Sequence, residues 1–586
     1  MYLERINGPE DVKKLNVTQL KVLANEVRQT LLEKLSRHGG HFGPNLGMVE
    51  AIIALHAVFD SPKDKIVFDV SHQSYTHKML TGRKDAFLFP EHYDDVTGYT
   101  NPRESIHDCF TVGHTSTSVS LACGLAKARD LSGEKNNVIA VIGDGSLSGG
   151  EALEGLNVAA ELKSNLIIIV NDNEMSIAEN HGGLYQNLQL LRQTNGSAEC
   201  NLFRAMGLEY LFVAGGNDIP ALYEAFIQVK DTCRPTVVHI HTQKGKGYAP
   251  AEANREGWHY SGPFILETGK PRYQLKTEED YSTITADFLL KKMKEDPSVV
   301  AITAGTPTVM GFTKEKRQEA GSQFIDVGIA EQTAVALSSG IAAGGGKPVF
   351  GVYSSFIQRT FDQLSQDLCI DKNPATLIIF EGSVYGMNDV THLGLQDIPM
   401  MGNIPNLVYL APTNREEYLS MLSWSLEQTE HPVAIRVPGG HMRSSGSVFS
   451  WNAENIDHWT TVQSGSGAAI IGLGTFYPLA LDAAKELKET DRIQPTVIKP
   501  YSITDLDIPL LSSLKKDHHV IVTLEDGFLD GGFGEKIARF YGSTDIKVLN
   551  FGIKKGFLDR YDVPTVLREN RLTAPQIVQS IRELLK

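Results

Sequence analysis

Apolar positions along this chain switch repeatedly between a helical period and short continuous runs, and the order of those switches sets the fold class. Leu20, Val22, Leu23, Val27, Leu31, Leu32 and Leu35 fall at helical intervals and predict a helix over 18–35 that ends at His38-Gly39-Gly40. The glycine-rich stretch 39–47 reads as a loop, followed by an apolar helix from Met48 to Phe59. Short β-branched runs alternate with such helices: 65–70, 138–142, 166–170 and 237–242, then 299–304, 324–327, 349–352, 377–380 and 433–437, then 469–471, 497–498, 520–522 and 548–549. Strands alternating with helices in this way predict an α/β protein of three doubly wound domains, with parallel sheets in the first two. The charged stretch Lys270–Asp280 and the Ser/Asn-rich stretch 444–456 read as linkers. They bound domains at 1–268, 281–443 and 457–586. Residues 174–191 are polar and read as a loop.

The polar turns that follow these strands carry the chemistry. Gly143-Asp144-Gly145 ends one strand and Asn171-Asp172-Asn173 ends the next, so both turns fall at the carboxyl edge of a sheet, where open α/β sheets bind ligands. Asp144 and Asn173 offer hard oxygen donors suited to Mg²⁺, and the glycines let the backbone approach a phosphate. His41, His72 and His114 stand at three strand-to-helix junctions before Asp144, which argues for a shared cleft. Glu331 heads a helix and has Val327, Ile329 and Ala330 ahead of it, surroundings that would raise its proton affinity. The turns of the last domain show no comparable polar cluster, so that domain is expected to be structural or dimer-forming.

Composition narrows this picture. The 586 residues exceed one hydrophobic core, with 41% hydrophobic and 21% charged residues as in ordinary globular chains. The net charge of −15 argues against nucleic acid, so phosphate must be met locally. Five scattered cysteines, without a paired framework, fit a reducing compartment. There is no apolar run of about 18 residues. A cytoplasmic protein without a membrane span is expected.

Taken in order, the motifs resemble those of the 1-deoxy-D-xylulose-5-phosphate synthase family of transketolase-like thiamine diphosphate enzymes, over essentially the whole chain. They are Gly-Gly-His-Phe at 39–42, Asp-Val-Ser-His-Gln at 69–73, Val-Gly-His-Thr-Ser-Thr-Ser at 112–118 and Ile-Gly-Asp-Gly at 142–145. Asn-Asp-Asn-Glu-Met-Ser-Ile at 171–177, Lys-Gly-Lys-Gly-Tyr at 244–248, Ile-Ala-Glu-Gln at 329–332 and Gln-Arg at 358–359 continue the series. The resemblance implies a transketolase-type fold and a homodimer whose active site lies between the first two domains of one chain. It implies a transferase that decarboxylates pyruvate and passes the two-carbon unit to an aldehyde, nominally glyceraldehyde 3-phosphate, in isoprenoid and thiamine biosynthesis. The alternatives are a different acceptor, unphosphorylated or differently charged, or a transketolase-type ketol transfer.

By the same resemblance Asp144, Asn173 and the Met175 backbone would hold Mg²⁺ on the cofactor diphosphate. His72, Gly113, His114, Thr115, Gly145, Ser146, Asn173 and Tyr248 would line the cofactor. Phe356 would stack on its pyrimidine and Glu331 would hydrogen-bond that ring. His41, His259, His392, Arg359 and Tyr353 would orient the keto acid and shuttle protons. Two family arginines that grip the acceptor phosphate correspond to Glu381 and Gly439, and an acceptor-side aspartate corresponds to Asn388. Losing such a clamp removes charge-assisted hydrogen bonds of roughly 1.5–3 kcal/mol each. Arg436, His441 and Arg443 are the cations available to replace it. The stretch between Asn173 and His259 is also shorter than in the family.

Overall fold

The structure, a computed structural model, describes residues 1–273, 279–440 and 442–585. The chain forms two compact units, Met1–Thr277 with Gly328–Ala330, and Glu278–Val327 with Glu331–Lys586. In the first unit the strands Lys65–Phe68, Val138–Gly143, Ile167–Asp172, Thr236–His241 and Glu209–Val213 lie side by side in that order, all parallel. Alternate residues of one strand enter opposite cores. Ile139 and Val141 pack with the helices Val17–His38, Gly43–Val58 and Ile219–Val229, whereas Val138, Ala140 and Ile142 pack with Ser118–Ser132 and Gly150–Leu162. Burial on both faces is why these strands read as continuous apolar runs.

Two sequence expectations fail in this unit. The helix expected from Met48 begins at Gly43, because Pro44 in its first turn is already at a helical φ and lacks only an N–H that would be unsatisfied there. Residues expected to be a loop include the helix Gly183–Gln193, which buries Leu188 and Leu191 against the sheet while its other faces stay polar.

In the second unit one parallel sheet runs in the order Val408–Leu410, Val433–Arg436, Thr376–Phe380, Lys347–Tyr353, Val299–Thr303, Phe324–Asp326. The other sheet is mixed: Thr460–Gln463 runs antiparallel to Thr496–Lys499, followed by Gly467–Gly472, His518–Phe528 and Lys547–Ile553 in parallel. One apolar cluster extends from Phe350 and Leu377 to Ile471 and Ile521, so the two sheets share a core. A polar cluster is also buried in this unit. Arg436, 3% exposed, donates from Nε to Asp397 at 2.5 Å and from Nη1 to Asp526. Tyr409 donates to Asp397 at 2.5 Å, and Thr475 donates to Asp526. Glu525 beside them accepts the backbone N–H groups of Phe533 and Gly534, and burial pushes its carboxyl to about 7. Among the described residues no helix is long and apolar enough to cross a membrane.

Candidate active site

In the first unit the two polar turns are neighbours because their strands are. Gly143 pairs in register with Asn171, and the Asp144 N–H donates to the Asn171 carbonyl at 3.0 Å. Asp144 is 1% exposed and has no ion-pair partner among the described residues. It accepts a hydrogen bond from Asn180 Nδ2 at 2.8 Å. Burial first, and then the Asp172 charge, drive its carboxyl well above the usual carboxylate range. A buried carboxylate without a direct ion pair is costly, and a divalent cation there would relieve it. The Asn173 side-chain oxygen accepts from the Met175 N–H at 3.2 Å, placing the two other expected ligands in one turn. Among the described residues no group of three or more His, Cys, Asp or Glu is arranged to hold a metal. A cation here would therefore draw on one carboxylate, a carboxamide and a backbone carbonyl, and take its remaining ligands from phosphate and water. Gly145 packs closely on Ser176: an added Cβ would stand 3.0 Å from its Cα, with its Oγ nearer still. Gly113 is buried, and His114 and Thr115 half-buried, ahead of the helix Ser118–Ser132, and Ser146 is buried in the turn Gly145–Ser148.

From sequence, Lys244 and Lys246 stand open between a solvated loop and a place near the diphosphate. Lys244 is 1% exposed and donates to the Ser176 carbonyl at 2.7 Å. Burial lowers its pKa to about 7, with Asp144 acting in the opposite direction. Among the described residues Lys246, two residues on, reaches Gln243 at 3.5 Å and no other side chain. A buried position inside a Lys-Gly-Lys-Gly turn leaves no mark in the sequence.

The histidines cluster as well. The rings of His41, His72 and His259 lie 5.0–5.7 Å apart, with Tyr99 and Tyr260 at 5.7 and 5.2 Å from His41. His41 is fixed by a two-residue antiparallel ladder, Gly40–His41 against Tyr260–Ser261. The buried Asn45 amide donates to the carbonyls of both His41 and His72, at 2.8 and 2.7 Å, and its oxygen accepts from the Tyr75 N–H. Asn45 is thus a positioning residue that sequence reading missed. Val70 and Ser71, just before His72, both have positive φ (56° and 67°), a conformation that a β-branched residue adopts only when its surroundings impose it. Burial, then Lys244 and the two other imidazoles, hold His259 well below its ordinary pKa, so it is neutral. Tyr248 does not join this group: its ring packs against Phe42 and Trp258 and its hydroxyl donates to the Leu266 carbonyl at 2.9 Å.

In the second unit Glu331 is the first residue of the helix Glu331–Ala343 and 3% exposed. Its Oε2 has no hydrogen-bond partner among the described residues and lies 3.5 Å from Arg359 Nη1. Burial outweighs that guanidinium and raises the carboxyl's pKa. The Phe356 ring stands edge-on to both Tyr353 (5.5 Å) and His392 (5.4 Å). Burial and Glu381 push the Tyr353 hydroxyl up to about 12, so it remains a donor. Thr391 joins His392 Nδ1 at 2.8 Å to Asp389 at 2.6 Å.

Of the positions that depart from the resemblance, Glu381 and Gly439 are close together. Glu381, with φ 59°, follows the strand Thr376–Phe380, and burial raises its carboxyl. An added Cβ at Gly439 would stand 2.5 Å from the Gly386 Cα and 2.7 Å from the Tyr385 carbonyl, with Glu381 Oε2 nearer still. Gly439→Ala is therefore expected to destabilise the fold by about 1–3 kcal/mol through overpacking, read as a lower urea midpoint. A midpoint equal to the parent's would refute that packing. Asn388 is tied by its backbone carbonyl to the Arg560 N–H at 2.7 Å and by Nδ2 to the Tyr561 carbonyl. Arg436 cannot replace a phosphate clamp, being committed to Asp397 and Asp526, and His441 lies outside the described residues. Arg443 is exposed.

Comparison with known proteins places these observations. Residues 3–201 match the family model of 1-deoxy-D-xylulose-5-phosphate synthase. Residues 111–316 match the thiamine diphosphate binding domain of transketolase, 278–444 its pyrimidine binding domain and 457–577 its C-terminal domain. The chain is similar to the 1-deoxy-D-xylulose-5-phosphate synthase of Clostridium beijerinckii, at 38% identity over 99% of each chain. It is as similar to that of Carboxydothermus hydrogenoformans, at 38% over 100% of this chain and 99% of the other.

Proposed function

Since the chain belongs to the 1-deoxy-D-xylulose-5-phosphate synthase family, we propose that it decarboxylates pyruvate and joins the two-carbon unit to glyceraldehyde 3-phosphate, using thiamine diphosphate and Mg²⁺. The observation that carries this reading is the pair of buried, undercompensated carboxylates: Asp144 without an ion pair among the described residues, and Glu331 whose Oε2 has no hydrogen bond there and only the Arg359 guanidinium at 3.5 Å. Full-length relatives named for this synthase disfavour a ketose-transferring activity or another acceptor.

The roles follow from each residue's surroundings. Asp144, Asn173 and the Met175 carbonyl would hold the metal against the diphosphate, beside His72, Gly113, His114, Thr115, Gly145 and Ser146. Lys244 adds a buried positive group there. Thiamine diphosphate, when bound, supplies a carbon nucleophile able to take an acyl unit from an α-keto acid and give it to an aldehyde. Glu331 would hydrogen-bond the cofactor's pyrimidine ring and hold or release a proton at Oε2, with Arg359 steadying the carboxylate form. Phe356 would stack on that ring. The neutral His259, with His41, His392 and the protonated Tyr353, would orient the keto acid and carry protons. A homodimer in the cytoplasm completes the proposal.

The test is CO₂ release from pyruvate in the presence of thiamine diphosphate and Mg²⁺, with glyceraldehyde 3-phosphate or a panel of neutral aldehydes. Release that saturates with glyceraldehyde 3-phosphate and needs both cofactors is the expected outcome. No CO₂ with any acceptor would overturn the reading.

A further inference from the structure

The segment after Asn173 returns to the two polar turns at three points. Asn180 donates to Asp144 Oδ2 at 2.8 Å, and the Tyr185 hydroxyl donates to the Gly145 carbonyl at 3.3 Å. Arg192, in the last turn of the helix Gly183–Gln193, straddles Asn173: its Nη1 lies 2.5 Å from Asp172 Oδ2 and its Nη2 3.5 Å from Glu174 Oε2. The turn so held is strained, because Glu174 has φ 67° without being glycine.

Other groups assist without bridging. His239 Nε2 is 2.8 Å from Asp172 Oδ2, with its Nδ1 on the Tyr210 hydroxyl, and His241 Nε2 is 3.2 Å from Glu174 Oε1. Arg255 donates to the Asn173 carbonyl at 3.2 Å. Each of these touches one residue of the turn, whereas Arg192 alone among them reaches the carboxylates on both sides of Asn173. The planar guanidinium fork is suited to that task, and an ammonium group, a single point of charge, serves one carboxylate at a time.

We propose that Arg192 is a positioning residue for the metal: by gripping Asp172 and Glu174 it fixes the strained turn in which Asn173 and Met175 present their oxygens. This rests on the reading of Asp144, Asn173 and Met175 as the metal ligands. Outer partners of this kind set ligand orientation, and their loss typically weakens metal binding about 10–100-fold. Since His239 and His241 remain on the two carboxylates, the fold should survive the loss.

The test is Mn²⁺ binding to the full chain with thiamine diphosphate, followed by the electron paramagnetic resonance signal of free Mn²⁺. The parent is compared with Arg192→Lys, Arg192→Ala and a surface control, Arg234→Ala, whose partner is the exposed Glu209. Arg192→Ala should weaken Mn²⁺ about 10–100-fold, Arg192→Lys should fall between it and the parent, and the control should bind as the parent does. Parent-like affinity in Arg192→Ala overturns the inference while leaving the metal assignment intact. Parent-like affinity in Arg192→Lys overturns the two-carboxylate grip, and decides the matter if the alanine variant does not fold. Failure of the parent to bind Mn²⁺ would overturn the metal assignment and this inference together.

Discussion

Glu331→Gln is expected to lower kcat for CO₂ release from pyruvate by about 10²–10⁴-fold, the range lost with a positioned proton-transferring group, while the melting temperature stays level or rises. The two halves of that expectation have one cause. Glu331 is buried at the head of its helix, and its Oε2 has no hydrogen bond among the described residues, only the Arg359 guanidinium 3.5 Å away. Such a carboxyl is poised for proton transfer and poorly suited to stability, so a neutral amide of the same shape removes the first property without harming the second. The sign of the pH effect follows. Burial raises this carboxyl's pKa in the folded chain above the ordinary 4.5. Its contribution to stability is therefore present in full below the ordinary value and is lost as pH rises through the folded one. Thermal melts at several pH values should show the variant gaining on the parent as pH increases. A constant difference between them would contradict the account, as would unchanged turnover.

Asp144→Ala should be more severe for binding. Groups that merely support a metal ligand cost about 10–100-fold in affinity when lost, so removal of the only carboxylate among the expected ligands should exceed that range. Without metal the variant is expected to melt at or above the parent's temperature, because a buried carboxylate without a direct ion pair has gone. With Mg²⁺ and thiamine diphosphate the order should reverse, since a ligand that binds only the folded state raises its apparent stability and the variant would not take part. Scanning fluorimetry with and without the two cofactors reads both arms. An equal upward shift in parent and variant would remove Asp144 from the metal site.

The parts of this arrangement that were legible in the sequence are those fixed by short-range pattern. Asp144 and Asn173 could be placed because each ends a continuous apolar strand, and Glu331 because it heads a helix of small residues. The edge strands Glu209–Val213 and Thr460–Gln463 escaped notice, since exposed and half-buried residues dilute the apolar run. Asn45 and Arg192 escaped, and Lys244 stayed undecided, for another reason. Their roles depend on partners far along the chain, such as His72 for Asn45 and Ser176 for Lys244, and a polar residue in a turn looks the same whether solvated or buried. The expected cation at Arg436 failed for that reason too: nothing near it in sequence announces Asp397 or Asp526.

The ladder that seats His41 against Tyr260 also bears on the order in which the site is assembled. The metal turns belong to adjacent strands of one strand–helix–strand unit and need only a local closure, whereas the ladder joins the beginning of the first unit to its end. A neighbouring tie, Arg28 Nε to the Lys246 carbonyl, spans 218 residues. Closing a loop of that size is entropically slower than closing a short one, and contacts of high sequence separation lag behind local ones. During refolding the chain should accordingly acquire its phosphate-and-metal cradle before its histidine cluster. The last event of that sequence is a two-residue strand pairing, which makes the arrival of His41 beside His259 a late marker of the native state.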